Sequence, residues 1–191
     1  MIVRAVTDWL VRQNAIVEDD SELYEYAIQS FAYSVAPIIL LFAIGMVVGQ
    51  TQSAIMLSIP LCLIRRYSGG YHAPYGWLCI IISVGVLSFC VLIQAYMQCN
   101  IWLLLFMLLA IFGLCILSPI DSLNRPLDQS EKKRYKKCTM MITLQCACAY
   151  LGAWLLGKEQ VACCVATGII LASFLQLPCI PKLLKDHLVG K

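Results

Sequence analysis

QSAIMLSIPLCLIRRYSGGYHAPYGWLC, residues 52–79, decides how the rest of the chain is read. An apolar run over 52–64 stops at Arg65 and Arg66. Three glycines, Pro74, His72 and Cys79 follow. A perpendicular helix needs roughly 20 residues to cross the hydrocarbon core, so 52–64 is short for a span. Non-helical backbone at membrane depth is tolerated only where protein buries it or where it lines a water-filled cavity. A short span running into a glycine-rich stretch therefore points to a pocket. Counting 52–64 as a crossing also sets the side of the membrane on which every later loop lies.

The surrounding composition makes that count the right question. The chain has 191 residues, 61% hydrophobic and 13% charged, with a mean hydropathy of +0.80. A soluble domain carries about 25% charged residues, so the chain belongs with polytopic membrane proteins. Apolar segments are expected at about 31–49, 52–64, 77–97, 101–119, 138–157 and 160–180. Ile2, Val3, Val6, Trp9 and Leu10 recur at helical spacing among Arg4, Asp8 and Arg12. They predict an amphipathic helix that either lies in the interface or packs on the bundle. The expected fold is all-α integral membrane: about six transmembrane helices, the second short, after an amphipathic N-terminal segment over 1–30. One membrane-embedded domain covers 1–191. Residues 1–30 also carry Asp8, Glu18, Asp19, Asp20, Glu22 and Glu25. They lack the apolar core of a secretory signal peptide, so insertion is expected to rely on internal segments.

Charge orients the six segments. Arg4 and Arg12 precede the first and Arg65 and Arg66 follow the second. Six basic residues from Arg125 to Lys137 separate the fourth from the fifth, and Lys182, Lys185 and Lys191 follow the sixth. Only Lys158, of 14 Lys and Arg in all, falls on the other side. That is a strong positive-inside pattern. It places both termini, residues 65–75 and the basic 120–137 loop in the cytoplasm. The net charge of +3 lends no support to a nucleic-acid partner.

The 11 cysteines suggest disulfides or metal at first sight. Most, including Cys62, Cys90, Cys115, Cys146 and Cys148, lie in or beside apolar runs, where a free thiol acts as a small hydrophobe. No C-x-x-C pair and no His/Cys cluster of zinc spacing occurs. No metal and no cofactor is expected.

His72 and Cys79 remain as a chemically distinct pair. An imidazole that takes a thiol proton makes a nucleophile for carbonyl carbon. In one unbroken helix seven residues separate the two by roughly 10 Å along the axis, too far to share a proton. Pro74 and Gly76 argue against an unbroken helix. Proline suits a first turn and disfavours helical geometry in the residue before it. The third segment is therefore expected to start at about Pro74–Trp77. Cys79 then sits in or near a first turn, where the helix dipole favours a thiolate and free N–H groups offer an oxyanion hole. His72 folds back from the preceding loop. Gly69 and Gly70 let the backbone turn or approach a substrate closely. Arg65 and Arg66 either mark the cytoplasmic edge or hold an acidic group of substrate. Asp121, Asn124 and Asp128 are weak candidates to orient the imidazole, and a dyad without a third member is an equal alternative. His187 lies in a basic tail and reads as solvated.

At these residues the sequence resembles the accessory gene regulator B (AgrB) family, membrane endopeptidases of Gram-positive quorum sensing. The resemblance rests on Arg65, on Gly69-Gly70-Tyr71-His72, and on Cys79 seven residues after the histidine. A second match is SPIDSLNRPLDQSEKKRYKK, residues 118–137, which is similar to the family's proline-containing and basic cytoplasmic loop. The resemblance implies a cell-membrane cysteine endopeptidase whose partner is an AgrD-type precursor peptide. Cys79 would carry a thioester after the precursor's C-terminal tail is cleaved, and His72 would be general base and then acid. An internal cysteine or serine of the peptide would then close a thiolactone or lactone. A pocket that excludes water would favour that closure over hydrolysis.

Two further sets of residues admit two readings each. Lys132, Lys133 and Arg134, with Tyr135, Lys136 and Lys137, either anchor on anionic membrane lipids or capture the acidic tail typical of the family's substrates. Gly85, Gly113, Gly152 and Gly168 suit close helix packing, within one bundle or across the homodimer interface that the resemblance suggests. Rival functional classes are a small transporter or channel and a non-catalytic membrane adaptor. Transport calls for polar groups within the spans, and segments 3 to 6 offer little beyond Gln94, Gln145 and Gln176.

Overall fold

A computed structural model describes residues 2–13, 15–69, 76–120 and 128–177. Those residues form helices α1 (Ile2–Arg12), α2 (Ser21–Val48), α3 (Thr51–Ser68), α4 (Gly76–Gln94), α5 (Ile101–Leu117), α6 (Gln129–Leu155) and α7 (Glu159–Phe174). A single 3-10 turn, Glu18–Asp20, leads into α2. Among the described residues there is no strand.

α7 lies at the centre, packed against α3, α5 and α6. Its residues Ala162, Cys163, Cys164, Val165, Ala166, Gly168 and Ile169 are all buried, most of them too small to hold a neighbouring helix away. α3 presents Ala54, Leu57, Leu61 and Ile64 to this core, and α5 presents Leu103, Met107, Ala110 and Leu114. Both sets recur at three- and four-residue steps, the spacing that lines one helix face. On α5 the opposite face is equally apolar: Trp102, Leu105, Phe106, Leu109, Phe112 and Ile116 are exposed. A helix apolar all round but packed on one side only has a face suited to lipid.

Two glycines within helices permit close approaches between helices. A Cβ on Gly168 would lie 2.6 Å from Pro60 Cγ and 2.8 Å from the Leu57 carbonyl oxygen, and one on Gly45 would lie 2.9 Å from Ala54 Cβ. Gly168 thus sets the α3–α7 crossing and Gly45 the α2–α3 hairpin. A Cβ on Gly113 would lie 3.0 Å from Ser173 Oγ, whereas Gly85 and Gly152 face open space. Only part of the expected small-residue set therefore packs helices together within this chain.

Several element bounds differ from the apolar segments. α2 begins at Ser21, ten residues before the apolar run, and takes Glu22 and Glu25 into its first turns. There Glu25 pairs with Arg4 of α1 at 3.1 Å, and α1 docks on α2 with Thr7 buried. α3 is not the short 52–64 helix. It spans 18 residues because Arg65 and Arg66 continue it; arginine is a good helix former and is favoured beside a helix C-terminus. The largest change concerns residues 129–137, which are helix and not loop. Glu131 accepts the Asp128 backbone N–H at 3.3 Å, and the run of Glu, Lys and Arg that follows has high helix propensity. α6 therefore carries its basic turns straight into its apolar part. Among the described residues it is the one helix long and apolar enough to cross a membrane. Val35–Val48, Ile80–Gln94, Ile101–Leu117 and Glu159–Phe174 are apolar but shorter.

Candidate functional site

α3 ends at Ser68 because Gly69 turns the chain out of it. Gly69 has φ 70° and ψ −160° and its N–H bonds to the Arg65 carbonyl. That backbone region is essentially reserved for glycine. Space adds a second demand, since a Cβ there would lie 2.6 Å from the Ile120 carbonyl oxygen. Gly69, expected to let the chain turn or approach a substrate closely, turns it here and lies close to protein backbone.

Around this turn three chain segments meet. The Ile120 N–H donates to the Ser68 carbonyl at 3.0 Å. Gln176 Nε2, just beyond α7, donates to the same carbonyl at 3.2 Å and to Ser118 Oγ at 2.9 Å. Gln176 is fully buried, and an unpaired buried amide is costly, so these bonds hold the exits of α3, α5 and α7 together. Nothing in the spacing of the sequence singled out Gln176 for this role. Its only sequence signal was being one of the few amides in an apolar segment.

The basic turns of α6 are brought to the same end. Tyr67 packs edge-on against Tyr135, with ring centroids 6.0 Å apart and planes at 68°. The Arg66 guanidinium lies 5.7 Å from the Tyr67 ring centroid, within cation–π range. Arg66, Lys133 and Arg134 are exposed, while Arg65 and Lys132 are half-buried. Two stretches more than sixty residues apart, one ending in Arg65-Arg66 and the other opening with Lys132-Lys133-Arg134, thus form one positively charged end of the bundle.

Asp128 begins α6. Its carboxylate accepts the Ser130 hydroxyl at 2.9 Å. That bond, with the Gln129 and Ser130 backbone N–H groups, holds its carboxyl below the usual range. It is solvent-exposed and occupied at the helix start, a poor placement for orienting an imidazole. α4 is described from Gly76, and Cys79 is its fourth described residue; residues 71–75, which include part of the expected 74–77 start, lie outside the described residues. His72, Gly70, Asp121 and Asn124 lie outside the described residues, as does His187. Among the described residues no group of three or more His, Cys, Asp or Glu is placed to hold a metal ion.

Of the amides expected within apolar segments, Gln145 is exposed and Gln94 is buried. Gln94 Nε2 donates to Thr167 Oγ1 at 2.8 Å, joining α4 to α7. Gln94 and Gln176 thus tie helices together at two separate places.

Comparison with known proteins gives the chain a lineage. The family model described as Accessory gene regulator B matches residues 3–176. A protein of Clostridium perfringens (strain SM101 / Type A) named AgrB-like is 25% identical over 131 residues, covering 63% of this chain and 61% of that protein. An AgrB-like protein of Listeria innocua serovar 6a is 27% identical over 135 residues, covering 66% and 65%. The chain thus spans about six tenths of the length of the curated relatives it matches. No solved structure gives a match.

Proposed function

The chain belongs to the accessory gene regulator B family, and from that premise we propose that it is a multi-pass membrane cysteine endopeptidase maturing an AgrD-type signalling peptide. The observation that carries the reading is the convergence at one end of the bundle. The α3 exit, which leads toward His72, and the basic start of α6 are held together by the Tyr67–Tyr135 contact. In this reading six crossings place that end in the cytoplasm, where an unprocessed peptide would be found.

The chemistry assigned to the site runs in four steps. His72 takes the Cys79 thiol proton, and the thiolate attacks the scissile carbonyl. Backbone N–H groups in the first turn of α4 hold the developing oxyanion. His72 then returns the proton to the leaving amine, and the precursor's C-terminal tail departs. The remaining thioester keeps much of its acyl energy; an internal cysteine or serine of the peptide gives its proton to His72 and attacks the acyl carbon, the bond to Cys79 Sγ breaks as the thiolactone or lactone closes, and the Cys79 thiolate takes the proton back from His72. Arg66, Lys133 and Arg134, exposed near the Tyr67–Tyr135 contact, suit an acidic tail segment as well as anionic lipid.

Co-expression of the chain with an AgrD-type precursor tests this directly. Cys79→Ala and His72→Ala are expected to abolish tail release while the protein still inserts. Mass spectrometry of the wild-type protein should find a peptide thioester on Cys79. Tail release that persists in Cys79→Ala at the wild-type rate sinks the proposal.

A further inference from the structure

At the end of the bundle away from the basic turns, two cysteines that the proposed chemistry does not use lie against each other. Cys99 Sγ and Cys163 Sγ are 3.3 Å apart. Cys99 sits in the connection between α4 and α5, and Cys163 is the fifth residue of α7. We propose that Cys99 and Cys163 form a reversible disulfide site that staples the α4–α5 connection to the central helix.

The surrounding contacts fix the two thiols in register. Gln94, at the end of α4, bonds Thr167 one turn beyond Cys163, and Thr167 in turn donates to the Cys163 carbonyl at 2.8 Å. On the other side of Cys99, Asn100 caps α5 by accepting the Leu103 N–H at 2.9 Å. Cys99 is therefore held between two anchored neighbours, and its own Sγ also reaches the Glu159 carbonyl at 3.5 Å. A disulfide requires a sulfur separation near ~2.05 Å. The remaining movement of about 1.3 Å is within reach of side-chain rotation and a small shift of the connection.

Access is asymmetric, and this orders the chemistry. Cys99 is half-buried, whereas Cys163 is fully buried behind it. The oxidant is a low-molecular-weight disulfide. The Cys99 thiolate attacks one of its sulfurs, forms a mixed disulfide and releases one small thiol. The Cys163 thiolate then attacks Cys99 Sγ and releases the second small thiol. Two protein thiols are oxidised, one external disulfide is reduced to two thiols, and the two protein protons pass to the leaving thiolates. In the six-span arrangement this end faces away from the cytoplasm, the side on which disulfides persist. The cross-link would close a long loop that includes α5 and α6, and so restrict the unfolded chain.

The test uses the full chain in lipid nanodiscs, treated with oxidised glutathione. Free thiols are then blocked with N-ethylmaleimide and the protein is digested for mass spectrometry. The expected result is a Cys99–Cys163 peptide pair in most molecules, cleaved by dithiothreitol and absent in Cys99→Ser. Oxidised wild-type protein should also melt on the order of 5 °C above the reduced form, a difference that Cys99→Ser removes. Cys148→Ser, at an exposed cysteine on α6, should retain the pair. Recovery of Cys99 only as its glutathione adduct, with Cys163 carrying maleimide, overturns the proposal. So does recovery of both residues as maleimide adducts. Neither result bears on Cys79, so the peptidase reading stands or falls separately.

Discussion

Replacing Gly69 by alanine should disable the site without unfolding the bundle. At φ 70° and ψ −160° the backbone strain for a non-glycine residue is about 1–3 kcal/mol. The new Cβ would lie 2.6 Å from the Ile120 carbonyl oxygen, whereas ordinary contact begins at 3.4 Å. Relief requires the two backbones to separate by about 0.8 Å. That movement stretches the Ile120 N–H bond to the Ser68 carbonyl, now 3.0 Å, at a cost of about 1 kcal/mol. Strain and the weakened bond together come to about 3 kcal/mol, equivalent to a roughly hundredfold change in an equilibrium. If the wild-type exit from α3 is what delivers His72, processing should fall by up to that factor. The assay is precursor cleavage per molecule of membrane-inserted enzyme, with thermal stability measured in parallel. Gly49→Ala is the control. Gly49 has φ 73° but nothing within 4 Å of its Cβ position, so it should cost about 1–2 kcal/mol of backbone strain and leave cleavage within twofold of wild type. Cleavage by Gly69→Ala within twofold of wild type would refute the argument that this turn positions the reactive segment.

Gly168→Ala should destabilise by about 1–3 kcal/mol through overpacking against Pro60 and Leu57, although alanine ordinarily improves a helix interior. Gly152→Ala, which faces open space, should instead gain up to about 1 kcal/mol; thermal melts of both variants check the contrast. Reversing Lys132, Lys133 and Arg134 to glutamate should weaken precursor processing by about tenfold or more with insertion unchanged. Unchanged processing would leave lipid anchoring as the role of that run. A double-mutant cycle on Tyr67→Ala and Tyr135→Ala should return a coupling of about 0.5–1.5 kcal/mol in unfolding, and no coupling if the ring contact is incidental.

Much of this protein was determined by sequence alone. Apolar composition and helical spacing sufficed for an all-helical chain, because both follow from local chemistry. Gly69 was readable as a turn for the same reason: glycine is the residue that tolerates such backbone angles. The Gly69–Cys79 pattern and the stretch beginning at Ser118 were enough to point to the family that the comparison with known proteins then gave. Tertiary structure decided the rest. The basic run at 132–137 looked like a loop because charge interrupts hydropathy, but helix propensity and the Glu131 contact at Asp128 make it part of α6. The end of α3 moved from Ile64 to Ser68 for a similar reason. Gln176 joining α3 to α5, Tyr67 meeting Tyr135, and Cys99 meeting Cys163 link residues about 60 to 110 positions apart. No local pattern encodes such pairs. They arise when small residues on α7 let α3 and α5 close around it, and only that packing determines which distant side chains become neighbours.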